Sequence, residues 1–159
     1  MVDLYNEEII KLYVKRYLKK VYALTCYLLG NNKNKAYEVT AASFVEGLTS
    51  TSYAEHEEGF LVKLFQTAVE ESRQAKAMPS EEKPHFVNIP PEKTKILFIL
   101  TETLQALSFE EKILLLLRDQ AHLSYQNIAA ILRISQSDVR SQITQARVNI
   151  RKKIERALL

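Results

Sequence analysis

The chain has 159 residues and is 47% hydrophobic, enough to bury a core as one ordinary domain or as two small ones. With 3 Gly, 4 Pro and no Trp, it lacks the turn-formers of an all-β fold, and its abundant Leu, Ile, Ala, Glu, Lys and Gln favour helix. The net charge of +3 is small but uneven. Residues 1–73 carry 9 basic against 10 acidic side chains, 74–93 carry 3 against 3, and 94–159 carry 10 against 6, so the basic excess is C-terminal.

A single cysteine, Cys26, excludes an internal disulfide; it sits in an apolar run and is expected to be a buried, inert thiol in a reducing compartment. The N-terminus opens with Asp3, Glu7 and Glu8 rather than with basic residues ahead of an apolar stretch, and no segment approaches the length of a membrane span. A cytoplasmic protein is expected.

The first element is a long amphipathic helix over 6–29, in which Ile9, Leu12, Tyr13, Tyr17, Val21, Leu24 and Leu28 recur every three or four residues. Gly30, Asn31 and Asn32 end it, because Gly and Asn tolerate left-handed backbone. A second helix spans about 34–48, and the polar run Thr49, Ser50, Thr51, Ser52 reads as a loop. A third covers 58–73, with Phe60, Leu61, Leu64, Phe65, Ala68 and Val69 on its apolar positions.

All four prolines (Pro79, Pro84, Pro90 and Pro91) fall between 74 and 93, where they remove backbone donors and restrict the residues before them. This segment is expected to be a linker between a first domain, 1–73, and a second, 94–159. The fold class is therefore all-α: two small helical domains joined by a Pro-containing linker.

In the second domain a helix over 94–107 precedes Ser108-Phe109-Glu110-Glu111, a capping box that starts a helix from Phe109 to about Gln120. Its run Ile113 to Leu117 is apolar nearly all round, which makes it central to that core. Ser124 caps a short helix ending at Leu132, Arg133 and Ile134 form a turn, and Ser135 with Asp138 reads as a second capping box. The helix that follows can run almost to the C-terminus. Short helix, tight turn and long helix make a helix-turn-helix within a four-helix domain, the arrangement that seats a helix in the major groove.

On that long helix Val139, Ile143, Ala146, Ile150 and Ile154 form one stripe for burial. Gln136, Arg140, Thr144, Arg147 and Arg151 lie beside it, while Ser137, Ser141, Gln145 and Lys152 face away from it. Arg and Lys neutralise phosphates, and Arg, Gln and Ser also bond base edges, so these residues, with Gln142 and with Ser124 and Tyr125 of the preceding helix, are the candidate DNA-binding set. The plainer alternative is that a charged stripe on a helix is only a solvated face.

These residues carry a resemblance to a known family. Leu104-Gln105-Ala106-Leu107-Ser108, the run Leu123 to Leu132 and the run Val139 to Arg147 resemble the "ALP" turn, the "LSYEEIAEIL" helix and the "VKSRLHRAR" recognition helix of the two-domain bacterial sigma factors of the extracytoplasmic-function group. The stretch Leu12 to Leu24 with Leu28-Leu29-Gly30-Asn31 resembles that family's first helix and its turn. The resemblance implies a transcription initiation factor with no active site. Its first domain would bind the RNA polymerase clamp and open the −10 element, and its second would read the −35 element of double-stranded promoter DNA. The polymerase-binding residues it implies are Glu38, Ala41, Phe44 and Val45.

The sequence departs from the family at named positions. In the clamp helix Tyr37 and Ala42 replace acidic residues, Ala41 replaces Gln and Leu48 replaces Trp. In the third helix Phe60 stands where the family has a Trp and Thr67 where it has an Asn, and Glu70 and Glu71 add negative charge near a strand that needs cations. In the recognition helix Asp138 replaces Thr, and Gln142 and Gln145 replace basic residues, although Arg147, Arg151, Lys152, Lys153 and Arg156 keep the tail basic. These changes carry a second reading: a sigma-like interaction protein that docks an anti-sigma factor or another regulator without melting promoters. A third reading is a dimeric helix-turn-helix regulator.

An enzyme is not expected. His56, His85 and His122 are scattered, Cys26 has no cysteine partner for a metal site, and Gly30, Gly47 and Gly59 are too far apart for a phosphate loop. No cofactor is expected.

Overall fold

A computed structural model describes residues 4–30, 32–75 and 91–158, and all its regular elements are helical. They are α1 (Leu4–Leu28), α2 (Lys33–Ser50), α3 (Glu57–Ala75), α4 (Pro91–Gln105), α5 (Phe109–Leu115) with a π-helical turn after it (Leu116–Gln120), α6 (Tyr125–Leu132) and α7 (Gln136–Leu158). The expected all-α architecture with a C-terminal helix-turn-helix is present. Most of the proposed linker, including Pro79, Pro84 and Pro90, lies outside the described residues. Pro91 opens α4, where its missing N–H costs no helical hydrogen bond.

Local chemistry fixes the helix ends. Asn32, Ser108, Ser124 and Ser135 each accept the backbone N–H three residues on, from Lys35, Glu111, Asn127 and Asp138 at 3.2, 3.1, 3.1 and 3.0 Å. Glu111 returns the bond to the Ser108 N–H, completing the capping box. At Ser135 only the first half is made among the described residues, the Asp138 N–H donating to the Ser135 hydroxyl. The loop expected at 49–52 starts two residues later. Thr49 donates to the Val45 carbonyl and Ser50 to Glu46, so both hydroxyls are satisfied within the last turn of α2.

α1, α2 and α3 close around an aromatic cluster. Phe60 is fully buried, stacked on Tyr13 at 4.8 Å between centroids, with Phe44 at 6.1 Å. Tyr13 donates to the Tyr53 carbonyl at 2.7 Å, and Tyr17 donates to Glu57 at 2.7 Å. Leu12, expected on the buried face, is 42% exposed instead, because α1 turns its Tyr13 and Tyr17 line inward. Cys26 is half-buried rather than buried, at the edge of a small cluster with Leu29, Ala36 and Val39.

The two halves share one core. Ile113, Leu114 and Leu117 are buried in the same apolar cluster as Tyr13, Leu24, Phe65 and Val69, with Leu115 and Leu116 packed against it. α1 touches α5 and the π turn, and α3 lies along α6. Polar contacts reinforce the seam: Arg73 grips Glu110 with two hydrogen bonds, the one to Oε2 at 2.9 Å, and Gln66 donates to the Ala130 carbonyl at 3.0 Å. Glu110 is thus a bridge between halves, a role beyond the helix start it was assigned from sequence.

Two predictions follow from this packing. A Cβ on Gly47 would stand 2.8 Å from the Phe60 ring, which is core and has nowhere to go. Gly47→Ala is therefore expected to destabilise by about 1–3 kcal/mol, read by chemical denaturation. The Tyr17 hydroxyl and the Arg16 guanidinium hold the Glu57 carboxyl below its ordinary range. A lowered carboxyl stabilises the fold above its unfolded value and loses that contribution as pH falls through its folded one. Glu57→Gln should lower stability near neutral pH by less than about 1 kcal/mol, since the group is partly exposed, and the difference should vanish in acid.

Candidate nucleic-acid interface

α6, its turn and α7 form the helix-turn-helix. The turn is made by Arg133, whose backbone is left-handed (φ 58°, ψ 43°) and whose N–H bonds the Ala129 carbonyl, ending α6. Ile134 follows with its N–H on the same carbonyl at 3.1 Å. Val139, Ile143 and Ala146 are buried against α5 and α6, which sets the rotation of α7 about its axis. Ile150 and Ile154, expected in the same stripe, are half-buried, because beyond Ala146 the helix has chiefly α4 beside it.

That rotation leaves Gln136, Ser137, Arg140, Ser141, Gln142, Thr144, Gln145, Arg147, Arg151 and Lys152 exposed, with Ser124 exposed and Tyr125 half-buried on α6. The candidate set therefore lies on the outside of one helix and the start of another. Its members are not equivalent. Arg140 lies over the Tyr125 ring, 5.2 Å from the centroid, with its guanidinium unpaired by any carboxylate among the described residues. Arg147 is ion-paired with Asp119 at 2.5 Å, Arg151 faces Glu155 at 4.0 Å, and Gln145 donates to Asn149 at 3.1 Å.

Lys153 reaches the Ala106 carbonyl at 3.4 Å at the end of α4. Lys152 and Arg156 make no ion pair among the described residues. Burial would raise the Glu111 carboxyl, but hydrogen bonds from Ser108 and Asn149 hold it below its ordinary range. Glu111 is therefore a charged brace between α5 and α7, with Asn149 at 3.5 Å.

Sequence reasoning missed Arg118 and Asp119. Arg118 donates to the Leu123 carbonyl at 2.9 Å and lies over Tyr125 at 4.2 Å, and its neighbour Asp119 holds Arg147. The one available signal was a charged pair closing an apolar run, which does not reveal where each side chain points.

In the first half Glu38, Ala41 and Val45 lie on the exposed face of α2, beside an exposed Tyr37. Phe44 points the other way and is buried against Phe60, so it belongs to the core. Phe60 is likewise fully buried and offers no stacking surface. Between α3 and α6 lies an open groove of about 430 Å³ lined by Val62, Lys63, Gln66, Gln126, Asn127 and Ala130 among others. Among the described residues no helix is long and apolar enough to cross a membrane, and no His, Cys, Asp and Glu side chains group to hold a metal.

Left-handed backbone at a non-glycine residue costs on the order of 1 kcal/mol. Arg133→Gly is expected to raise thermal stability by about that amount, partly offset by the greater freedom of glycine in the unfolded chain. A drop in melting temperature would mean that the Arg133 side chain holds the turn.

The family model described as sigma-70 region 4 matches residues 97–150, a span that runs from within α4 to within α7 and contains α5, α6, the turn and α7 as far as residue 150. No curated protein matches the chain. Residues 97–150 are thus similar to sigma-70 region 4.

Proposed function

We propose that this protein is a sigma-type transcription initiation factor of the cytoplasm that binds RNA polymerase core and double-stranded promoter DNA, touching the DNA through α7 and the start of α6. The observation that carries this reading is the sigma-70 region 4 match over a helix-turn-helix whose long helix exposes Arg140, Ser141, Gln142 and Lys152 on its outer surface. Arg and Lys there serve phosphates, and Arg, Ser and Gln are chemically able to read base edges. The exposed face of α2, with Glu38, Ala41 and Val45, is the proposed polymerase contact. The division into a polymerase and −10 half (1–73), a linker (74–93) and a −35 half (94–159) belongs to the same reading, which requires no catalytic residue or cofactor.

A second reading is favoured by specific observations. Phe60 is sealed in the core, α6 packs along α3, and α3 exposes Glu70 and Glu71 on the helix to which the sigma resemblance assigns the melted strand. On this reading the protein keeps the sigma architecture to dock an anti-sigma factor or other regulator and does not melt promoters.

The two are separated by pull-down of core polymerase with the full-length protein, followed by run-off transcription. The first reading expects stoichiometric retention of core and a discrete transcript. Retention without a transcript favours the second, and failure to retain core removes the first. The DNA contact is tested by salt: log affinity should fall linearly with log salt, and Lys152→Ala should flatten the slope by about 0.9 if it neutralises one phosphate.

A further inference from the structure

The π turn after α5 is the least regular feature of the second half. The Ala121 N–H bonds the Leu116 carbonyl five residues back at 2.9 Å, and the chain then reverses through His122 in left-handed backbone (φ 56°). Its two charged residues are adjacent in sequence and diverge in space. Arg118 goes to the start of α6, donating to Leu123 at 2.9 Å and lying 4.2 Å over Tyr125, while Asp119 goes to α7 and pairs with Arg147 at 2.5 Å. Arg140 rests on the same Tyr125 ring at 5.2 Å. Arg147 is therefore reached directly from the five-residue turn and Arg140 through the Tyr125 ring that Arg118 also contacts. Arg140 is supported on an aromatic ring that leaves its donors free, and Arg147 has its charge neutralised by a carboxylate.

We propose that this turn assigns the two arginines different jobs: Arg118 and Tyr125 brace Arg140 as the DNA-reading side chain, and Asp119 holds Arg147 away from the phosphates. Arg118 and Asp119 are positioning residues in this scheme, which rests on the DNA-binding reading above. A braced guanidinium loses less side-chain freedom on binding, so its hydrogen bonds to a base edge or phosphate come at lower cost. A carboxylate beside Arg147 both occupies that cation and repels the DNA backbone.

The test uses the full-length protein and a fluorescein-labelled duplex of mixed sequence, with circular dichroism to verify the fold of each variant. Arg118→Met should weaken binding roughly three- to thirtyfold, the range of a cation–π contact. Arg140→Ala should then add far less in that background than in the wild type, because the two act as a unit. Tyr125→Leu, which removes the ring under both guanidinium groups, should behave like Arg118→Met. Asp119→Asn should act in the opposite direction, tightening binding and steepening the salt slope by about 0.9, with Arg147→Ala in the same chain restoring the original slope.

In the free protein, NMR of the Arg140 Nε–H should show lost order in Arg118→Met. Equal costs of Arg140→Ala in both backgrounds, or an unchanged Arg140 signal, would overturn the bracing role. An unchanged or flatter slope in Asp119→Asn would overturn the holding role. Failure of the wild-type chain to bind duplex at all would instead sink the DNA reading itself, and is told apart by that first control.

Discussion

The structure depends on one constraint: the run Ile113 to Leu117 is apolar nearly all round, and Ile113, Leu114 and Leu117 need cover from more than one side. α7 and α6 cover part of it through Val139, Ile143 and Ile128. The remainder is covered by α1, which contacts both α5 and the π turn. This helix-turn-helix has a hydrophobic back, and burying a Leu or Ile side chain is worth about 1.5–3 kcal/mol, so the two halves are drawn into a single core. The fork between Arg73 and Glu110 lies at the rim of that seam, where an exposed ion pair gives register more than energy.

Once the back of the second half is fixed, its front is fixed too. Burial of Val139, Ile143 and Ala146 sets the rotation of α7, and that rotation turns Arg140, Ser141 and Gln142 outward. The same geometry brings α6 along α3, so that Gln66 meets Ala130 across the seam. The third helix is therefore less open than in an arrangement of two separate domains. Any function that needs both faces at once requires the halves to part, and the shared core sets the energy of doing so.

Much of this was legible in the sequence where the signal is local. The serine caps at Ser108, Ser124 and Ser135 marked three helix starts because a hydroxyl three residues ahead of a free N–H needs no distant partner. A turn at Arg133 and Ile134 and the buried stripe through Val139 and Ile143 followed from local pattern and periodicity. What depends on distant partners was not legible. Glu110 and Arg73 are far apart in the chain, and nothing nearby marks them as a pair. Phe60 stands where the family pattern has a Trp and was also on the apolar face of its helix, but that Tyr13, Phe44 and the bare α-carbon of Gly47 enclose it depends on residues distant in the chain. Arg118 and Asp119 were hidden because their partners, Tyr125 and Arg147, are brought to them by tertiary packing that no local pattern marks.

The central claim is that α7 reads promoter DNA as part of a sigma factor. The most direct measurement is selection from a pool of randomised duplexes by the full-length protein together with core polymerase, followed by sequencing of the retained DNA. The account predicts enrichment of a short common motif by the wild type and its loss in Arg140→Ala. Recovery of unenriched DNA, or of the same motif by core polymerase without this protein, would contradict it.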